Sequence, residues 1–309
     1  KKKVWDIRSK KDLVEVFFKK YHISKKRLLK WVGLSESTYY YKSSGKRKGK
    51  KTSVLTHHKK HGLVSEETVI ASIKSILSHE FIDCGYQIMT EYLKRDGYVI
   101  NHKKVYRIMK KAMLLQNRVI RDHSKKKFVK HRKVITTRPL ECLEMDIKMV
   151  CIPEKGKNAY LLSVIDVHTR RILKDLFSFN IKQKQVIELL SALFEELDYP
   201  ESVVIRTDNG SQFIAKDVKE YLNMLGVSQE FTHIATPEEN AHIEAYHGTL
   251  KREISTKFEY FTFGQIEQIL KKYVVFYNQR RIHGLLGKIT PMEKWEMDKN
   301  MILNKKIVA

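Results

Sequence analysis

The sequence predicts an α/β protein with helical units in its first half and a mixed sheet covered by helices in its second half. Two observations predict this division. Apolar residues recur at helical spacing through residues 11–41 and 69–109, whereas from about residue 141 they alternate as in β-strands. The charge changes at the same boundary. The chain of 309 residues has a net charge of +25, and residues 1–140 carry the entire excess, because residues 141–309 are close to neutral.

Two short helical units are predicted in the basic half. In the first, Gly33 interrupts a helix, and Ser35 is a candidate N-cap for a short helix that carries Tyr39. This order is typical of a helix-turn-helix, in which Tyr39 is either an exposed DNA contact or a packing residue. In the second unit, Asn101 is a candidate cap for a helix with a basic outer face. That face carries Lys103, Lys104, Arg107, Lys110 and Lys111.

Composition indicates linkers between these units. Residues 46–64 and 118–137 are rich in Lys and Arg and almost free of acidic residues, which predicts basic linkers that follow a DNA backbone. The predicted organisation is a helix-turn-helix unit (1–45), a linker (46–64), a second helix-turn-helix unit (65–117), a linker (118–137), an α/β core (138–300) and a tail (301–309).

The charge and the cysteines restrict the class of protein. A large excess of Lys and Arg favours binding to a polyanion, above all a nucleic acid. No apolar run approaches the roughly 18 to 20 residues that span a bilayer, so we expect no membrane partner. The three cysteines form no C-x-x-C pair, which argues against a disulfide framework or a zinc ribbon. We interpret His57, His58 and His61 as linker residues rather than metal ligands.

The second half predicts the element order βββαβαβα. Three strands at hairpin spacing are expected at about 142–150, 161–167 and 172–179, followed by a helix at about 182–197. A short strand at 203–205, a helix at 214–225, a strand at 227–232 and a long helix from about residue 239 complete the order. This pattern is typical of a layered α/β fold with a mixed five-stranded sheet.

Three carboxylates fall on or next to these elements. Asp146 lies in the first strand, Asp208 directly follows the short strand, and Glu244 lies in the long helix 35 residues further on. Carboxylates are the hard oxygen ligands that Mg²⁺ prefers, and two such ions stabilise the attacking and leaving oxygens of a phosphoryl transfer. Small side chains at Ala241 and Ala245 would let the helix approach the sheet.

Two neighbouring carboxylates are alternatives. Asp166 also lies in an apolar strand, but we prefer Asp146 for the first position because it belongs to the first strand of the meander, and we interpret Asp166 as a turn or pairing residue. Glu144 shares a strand face with Asp146 and is a candidate supporting residue. On the long helix, Lys251 shares one face with Glu244 and would suit a DNA phosphate.

These motifs resemble a known family. The segments Thr-Asp-Asn-Gly-Ser-Gln-Phe (207–213), Pro-x-x-Asn-Ala-x-Ile-Glu-x-x-x-Gly-Thr-Leu-Lys-Arg-Glu (237–253) and Tyr-Asn-x-x-Arg-x-His (277–283), with Thr290-Pro291, are similar to the retroviral-integrase catalytic core. They resemble the OrfB-type transposases of bacterial insertion sequences more closely. The resemblance extends to the helix-turn-helix units, at residues 34–41, 85–86 and 101–105.

The resemblance implies a ribonuclease H-like catalytic core with Asp146, Asp208 and Glu244 as its metal-binding triad. The implied cofactors are two Mg²⁺ ions, which Mn²⁺ can replace, and the implied reaction is DNA cleavage followed by strand transfer. The implied partners are double-stranded DNA, as terminal inverted repeats and target, and further copies of the chain. The candidate DNA contacts are Lys251, Arg280, Arg281 and His283 near the active site and Tyr39, Lys103, Lys104 and Arg107 in the helical units, with core packing as the alternative for Arg281 and His283.

Two other functions stay open at this point. One is a structure-selective DNA nuclease of the same fold, and the other is a non-catalytic DNA-binding protein derived from a transposase. The chain begins at Lys1 rather than at Met, which leaves open an upstream fused segment or an OrfA-type partner that supplies further DNA binding. We expect a bacterial cytoplasmic protein associated with the nucleoid.

Overall fold

A computed structural model describes residues 6–42, 52–116, 134–233, 237–255, 257–259 and 262–302. The chain divides into two compact units, Lys1–Ser53 and Val54–Ala309. Large parts of the predicted linkers and most of the predicted tail lie outside the described residues. No helix within the described ranges is long and apolar enough to cross a membrane.

The first unit contains three helices at the predicted positions. They are α1 (Ile7–Tyr21), α2 (Lys25–Val32) and α3 (Glu36–Tyr40). Gly33 ends α2 with a φ of 62°, a conformation that glycine adopts at little cost, and the Ser35 hydroxyl accepts a hydrogen bond from the Thr38 amide at 3.2 Å. The predicted glycine turn and N-cap are therefore confirmed.

Tyr39 is a packing residue in this unit, which corrects its assignment as a DNA contact. Its ring is buried together with Val14 and Leu29, and its hydroxyl donates a hydrogen bond to the Glu15 carboxylate. Lys25 Nζ lies 2.8 Å from the same carboxylate. Glu15 is 24 positions away along the chain, so the motif around Tyr39 could not indicate this contact.

The second unit begins with a small helical subdomain, residues 56–116. Its elements are β1 (Thr56–His58), β2 (Gly62–Val64), α4 (Glu66–Leu77), α5 (Tyr86–Arg95), β3 (Tyr98–Val99) and α6 (His102–Lys111). The three predicted helices are present, and Asn101 caps α6 by accepting from the Lys104 amide at 2.9 Å. The strands form an antiparallel sheet in the order β2-β1-β3.

The hairpin of β1 and β2 corrects the prediction that residues 46–64 are a linker throughout. His58 explains why this polar segment is ordered. Its buried ring packs edge-on against Tyr98, with centroids 4.7 Å apart, and its Nε2 lies 2.9 Å from the Asp96 carbonyl oxygen. His58 is therefore a structural residue of the sheet rather than a linker residue.

The rest of the unit forms the α/β core in the predicted order. Its first elements are β4 (Cys142–Ile152), β5 (Lys157–Asp166), β6 (Ile172–Ser178), α7 (Gln183–Glu196), β7 (Val204–Thr207), α8 (Ser211–Ile214), α9 (Lys216–Leu225) and β8 (Ser228–Phe231). The sheet order is β6-β5-β4-β7-β8. β4, β5 and β6 pair antiparallel with one another, and β7 and β8 run parallel to β4, so the sheet is mixed as predicted.

Helices cover both faces of this sheet. The elements after β8 are α10 (Ala241–Ser255), α11 (Phe263–Gln279) and α12 (Pro291–Asp298). Leu143 and Met145 of β4 face the cluster formed with α7 and α9, and the alternate residues of β4 face α10. Asp146 therefore lies on the face that α10 covers.

We expect Tyr39→Phe to lower the free energy of unfolding of the first unit by about 1 kcal/mol, because it removes one hydrogen bond to a charged group. The affinity for DNA should stay unchanged, since the hydroxyl points into the unit. Thermal melting and a DNA-binding titration test this, with Tyr40→Phe as the matched control at an exposed ring. A loss of DNA affinity without a loss of stability would restore Tyr39 as a DNA contact.

Candidate active site

Strand pairing brings two of the candidate carboxylates to neighbouring positions. In the parallel pair of β4 and β7, Glu144 lies opposite Arg206. Two residues further along the same register, Asp208 follows the end of β7 opposite Asp146. Asp208 is exposed, whereas the Asp146 side chain keeps 23% of its accessible surface. Both carboxylates therefore lie beside the C-terminal end of β7 and reach solvent.

The turn after Asp208 depends on Gly210. The Asp208 Oδ1 atom accepts a hydrogen bond from the Gly210 amide at 2.9 Å, and the chain then enters α8. A Cβ atom on residue 210 would lie 2.9 Å from that oxygen and closer still to the Gln212 side-chain nitrogen, so both side chains would have to shift to accept a larger residue.

Glu144 attaches the N-terminus of α10 to β4. One oxygen of this fully buried carboxylate accepts from the backbone amides of His242 at 2.9 Å and Ile243 at 2.8 Å. The other oxygen lies 2.5 Å from His242 Nδ1. The first amides of a helix have no partner within the helix, and a carboxylate also interacts favourably with the helix dipole. Glu144 therefore acts as an N-cap supplied by a distant strand.

Because of this attachment, Glu244 lies on the first turn of α10, close to the strand that carries Asp146. Two further contacts hold the same end of the helix. Arg206 Nη1 donates to the Glu239 carbonyl oxygen at 3.1 Å, and the side-chain Nδ2 of Asn240 lies 3.5 Å from the Met145 carbonyl oxygen. Glu244 itself is exposed.

His247 contacts the first carboxylate directly. Its buried ring places Nδ1 3.3 Å from Asp146 Oδ2. Its Nε2 atom is also buried and has no hydrogen-bond partner among the described residues. The ring therefore lies against one oxygen of the Asp146 carboxylate.

The donor set fits a divalent cation. Carboxylate oxygens are hard ligands, and the elements that carry all three approach the C-terminal end of β7, since Glu244 lies one turn before His247, which contacts Asp146. Within the part of the chain that the structure describes, no three His, Cys, Asp or Glu side chains lie together as a complete metal site. The fit therefore rests on ligand chemistry and backbone placement.

Asp166 has a structural role in this fold. Its fully buried carboxylate accepts hydrogen bonds from the Leu140 amide at 2.9 Å, the Thr169 amide at 2.8 Å and the Thr169 hydroxyl at 2.5 Å. Burial raises the pKa of Asp166 above its ordinary value, and these hydrogen bonds oppose the rise. The carboxylate closes the turn between β5 and β6 as the sequence analysis expected.

Comparisons with known proteins decide the family. Two integrase core domain families match residues 136–237 and 225–291, and an HTH-like domain family matches residues 65–121. A transposase of insertion element IS904 from Lactococcus lactis is 30% identical over 147 residues, which cover 47% of this chain and 58% of that protein. The chain belongs to the insertion-sequence transposases with an integrase core.

Other relatives extend over more of the chain. An uncharacterised protein of insertion element IS407 from Burkholderia multivorans is 24% identical over 277 residues, or 89% of this chain and 91% of that protein. The putative transposase InsK of IS150 from Escherichia coli is 27% identical over 217 residues, or 68% and 76%. The catalytic core of BIV integrase superposes with a TM-score of 0.41 at 16% identity, covering 52% of this chain and 97% of that structure.

Membership confirms the expected ribonuclease H-like core and the function of a DNA transposase. Enzymes of this family cleave DNA and transfer strands, and their integrase core generally depends on a divalent metal ion. The HTH-like match over the subdomain that contains α4, α5 and α6 supports binding to DNA.

The structure corrects two candidate DNA contacts of the transposase, Arg281 and His283. The Arg281 guanidinium pairs with the buried Glu253 carboxylate, with Nη2 3.0 Å and Nε 3.1 Å from Oε1, and Tyr273 donates to the same carboxylate at 2.9 Å. Arg281 Nη1 donates to His283 Nε2 at 3.1 Å, and the His283 ring packs edge-on against Tyr277. Both side chains therefore serve the core, which was the alternative.

The remaining candidates differ in their surroundings. Lys251, Arg280 and Lys103 are exposed, so their assignment as DNA contacts stays a prediction. Lys104 donates to the Leu55 carbonyl oxygen, and Arg107 pairs with the nearly buried Glu66 carboxylate. These two side chains therefore help to hold α6 against the rest of its subdomain, and their assignment as DNA contacts stays a prediction.

The contacts of His242 and His247 with carboxylates of β4 were not predicted from the sequence. The one available signal was spacing, because His247 follows Glu244 by three residues and so shares its helix face. The contact of each histidine with a carboxylate of β4 spans about a hundred residues, and no local pattern reports such a distance. The supporting role expected for Glu144 takes a definite form, since Glu144 binds the helix that carries Glu244.

Asp146 and Asp166 should respond differently to substitution. Asp166→Ala leaves two buried amides and a hydroxyl unpaired, so we expect a loss of about 3 kcal/mol in the free energy of unfolding. Asp146→Asn should keep the stability within about 0.5 kcal/mol, since the side chain reaches solvent. Urea unfolding of both variants, with metal-dependent DNA cleavage measured in parallel, tests this difference. A stable Asp166→Ala protein without cleavage would assign Asp166 to the chemistry.

His283 should make the stability of the transposase depend on pH. Burial and the charges of Arg281 and Arg170 lower the pKa of His283 to about 3. Between that value and the ordinary pKa near 6.5, the unfolded chain binds a proton that the folded chain does not, so stability falls as the pH falls. From pH 7 to 5.5 this one group should cost about 1 kcal/mol.

Urea unfolding at both pH values measures this loss. The variant His283→Asn should lose about 1 kcal/mol less than the native chain over the same interval. His102→Asn is the matched control, because His102 is exposed, and it should follow the native chain. Equal losses for all three proteins would contradict the buried, uncharged His283.

Proposed function

We propose that this transposase cleaves the ends of its insertion element and joins the freed 3′-hydroxyl to a second DNA. Asp146, Asp208 and Glu244 would hold two Mg²⁺ ions, which Mn²⁺ can replace. The observation that supports this proposal is a backbone arrangement: β7 pairs with β4 so that Asp208 follows opposite Asp146, and Glu144 of β4 binds the first turn of α10, which carries Glu244.

The residues of the chain hold and orient the reacting groups. His247 orients the Asp146 carboxylate through one oxygen, and Glu144 keeps the first turn of α10 next to β4. When bound, the metal ions would activate the attacking oxygen and stabilise the leaving oxygen of an in-line displacement. No residue of the chain needs to form a covalent intermediate, because water and a DNA 3′-hydroxyl are both oxygen nucleophiles.

Lys251 is the proposed phosphate contact next to this site. It is exposed and lies two turns of α10 beyond Glu244, on the same helix face. Such a residue holds a DNA end without contributing to the metal site. We also propose that the transposase acts as a homo-oligomer on the terminal inverted repeats, and that an OrfA-type partner supplies further DNA binding.

The triad is tested by single substitutions. Asp146→Asn, Asp208→Asn and Glu244→Gln should each reduce Mg²⁺-dependent cleavage and joining at least 1,000-fold, since each removes a charged metal ligand. DNA affinity should stay near that of the native chain, and Glu220→Gln on the exposed face of α9 is the matched control. Full cleavage by any one of the three variants would remove that residue from the triad.

Joining separates a transposase from a nuclease of the same fold. A pre-cleaved element end with a free 3′-hydroxyl should be joined to a second duplex in Mg²⁺ or Mn²⁺. Lys251→Ala should depress joining about tenfold, which corresponds to loss of one phosphate contact, while thermal stability stays unchanged. If the full chain with its own element end only hydrolyses DNA in every metal tested, the nuclease function is correct.

A further inference from the structure

The helical subdomain is docked on the catalytic core through an apolar contact. Phe81, in the segment between α4 and α5, is 2% exposed and lies in the same cluster as residues of α10 and α11. Its ring centroid is 5.3 Å from that of Phe276 and 5.4 Å from that of Tyr273. The core thus provides the pocket that buries this aromatic side chain.

A lysine of the core binds the end of α4 next to Phe81. Lys257 Nζ, just after α10, donates to the carbonyl oxygens of Leu77 at 3.2 Å, His79 at 3.1 Å and Ile82 at 2.6 Å. Carbonyl groups at the end of a helix have no partner within the helix, and a cation there also offsets the helix dipole. One side chain therefore satisfies three groups of the subdomain.

A separate set of contacts holds α5. Arg95 binds the Glu293 carboxylate with both terminal nitrogens, at 2.8 and 3.0 Å, and Lys288 Nζ lies 2.9 Å from Glu91. The Tyr92 hydroxyl donates to the Arg280 carbonyl oxygen at 3.0 Å. Contacts at the end of α4 and along α5 constrain both the position and the orientation of the subdomain.

The docked arrangement leaves the basic face of α6 accessible. Lys103 and Lys110 are exposed, and the Lys111 side chain keeps 71% of its accessible surface. The helix expected to contact DNA therefore has a fixed position relative to β4, the strand that carries Asp146.

We propose that this docking determines which phosphodiester is cleaved, by fixing the distance between the DNA segment bound by α6 and the carboxylates of the core. The proposal rests on the proposed function and adds a source of positional specificity. Successive base pairs are about 3.4 Å apart along the helix axis, so a displacement of that size would move the cut by one position. The direct hydrogen bonds at both docking points limit such displacements.

The test compares the native chain with the double variant Arg95→Ala/Lys257→Ala, which removes one polar side chain at each docking point. Lys94→Ala is the matched control, because Lys94 pairs with Glu91 within α5 and not with the core. Each protein receives a duplex that carries the end of its own element, in Mn²⁺, and the cuts are mapped at nucleotide resolution. The native chain and the control should cut one phosphodiester, and the double variant should make more than half of its cuts at neighbouring positions.

A distance measurement tests the docking independently of DNA cleavage. Spin labels on cysteines introduced at Lys110 of α6 and Glu220 of α9, with the exposed Cys151 changed to Ser, give the distribution of distances between the two parts. The native chain and the control should give one narrow distribution. The double variant should give a broad one, with its melting temperature and its affinity for DNA preserved.

The outcomes separate this proposal from the proposed function. If the native chain cuts no DNA, the proposed function fails, and the cleavage-position role fails with it even where the labels confirm docking. A broad distance distribution with an unchanged cleavage position overturns the proposal alone. So does a narrow distribution in the double variant that persists when Phe81→Ala is added, because the named contacts would then not hold the subdomain.

Discussion

The active site depends on one buried carboxylate that is not itself a candidate ligand. Glu144 lies in the interior of the protein, where an unpaired charge would cost several kcal/mol, and the N-terminus of α10 supplies the donors that make its burial tolerable. The dependence is mutual, since the helix amides would otherwise have no partner. Strand and helix are thereby joined at the point where Asp146 and Glu244 must meet.

Contacts at the other end of α10 attach this helix to the rest of the molecule. Glu253, near the last turn, is buried and paired with Arg281 and Tyr273, which attach α10 to the region around α11. Lys257 follows directly and binds the end of α4. One helix thus connects the carboxylate site, the core beneath it and the docked helical subdomain through buried or polar contacts at successive turns.

The order of the core elements could be predicted from the sequence because each strand and helix shows its own apolar period. The candidate triad could be proposed from the sequence because the motifs that contain Asp208 and Glu244 coincide with the predicted end of a strand and the predicted start of a helix. The structural features that were not predicted depend on contacts between residues that are distant in the sequence. Tyr39 and Arg281 are polar residues that were predicted from the sequence as candidate DNA contacts. Only the positions of Glu15 and Glu253 show that they pack internally. The hairpin around His58 was hidden by its polar composition.

The docking relates the positive charge of the first half of the chain to the carboxylates of the core. Asp146, Asp208 and Glu244 are carboxylates and residues 141–309 are close to neutral, so the core on its own has little means of attracting a DNA phosphate. The basic first half supplies that attraction, but attraction alone only concentrates DNA near the protein. Binding energy gained at a remote surface assists the reaction when the two surfaces are held in one geometry, because the reacting phosphodiester is then positioned by the same event. The contacts of Phe81, Lys257 and Arg95 hold the helical subdomain on the core, and in the proposed function they would link DNA binding at α6 to chemistry at Asp146.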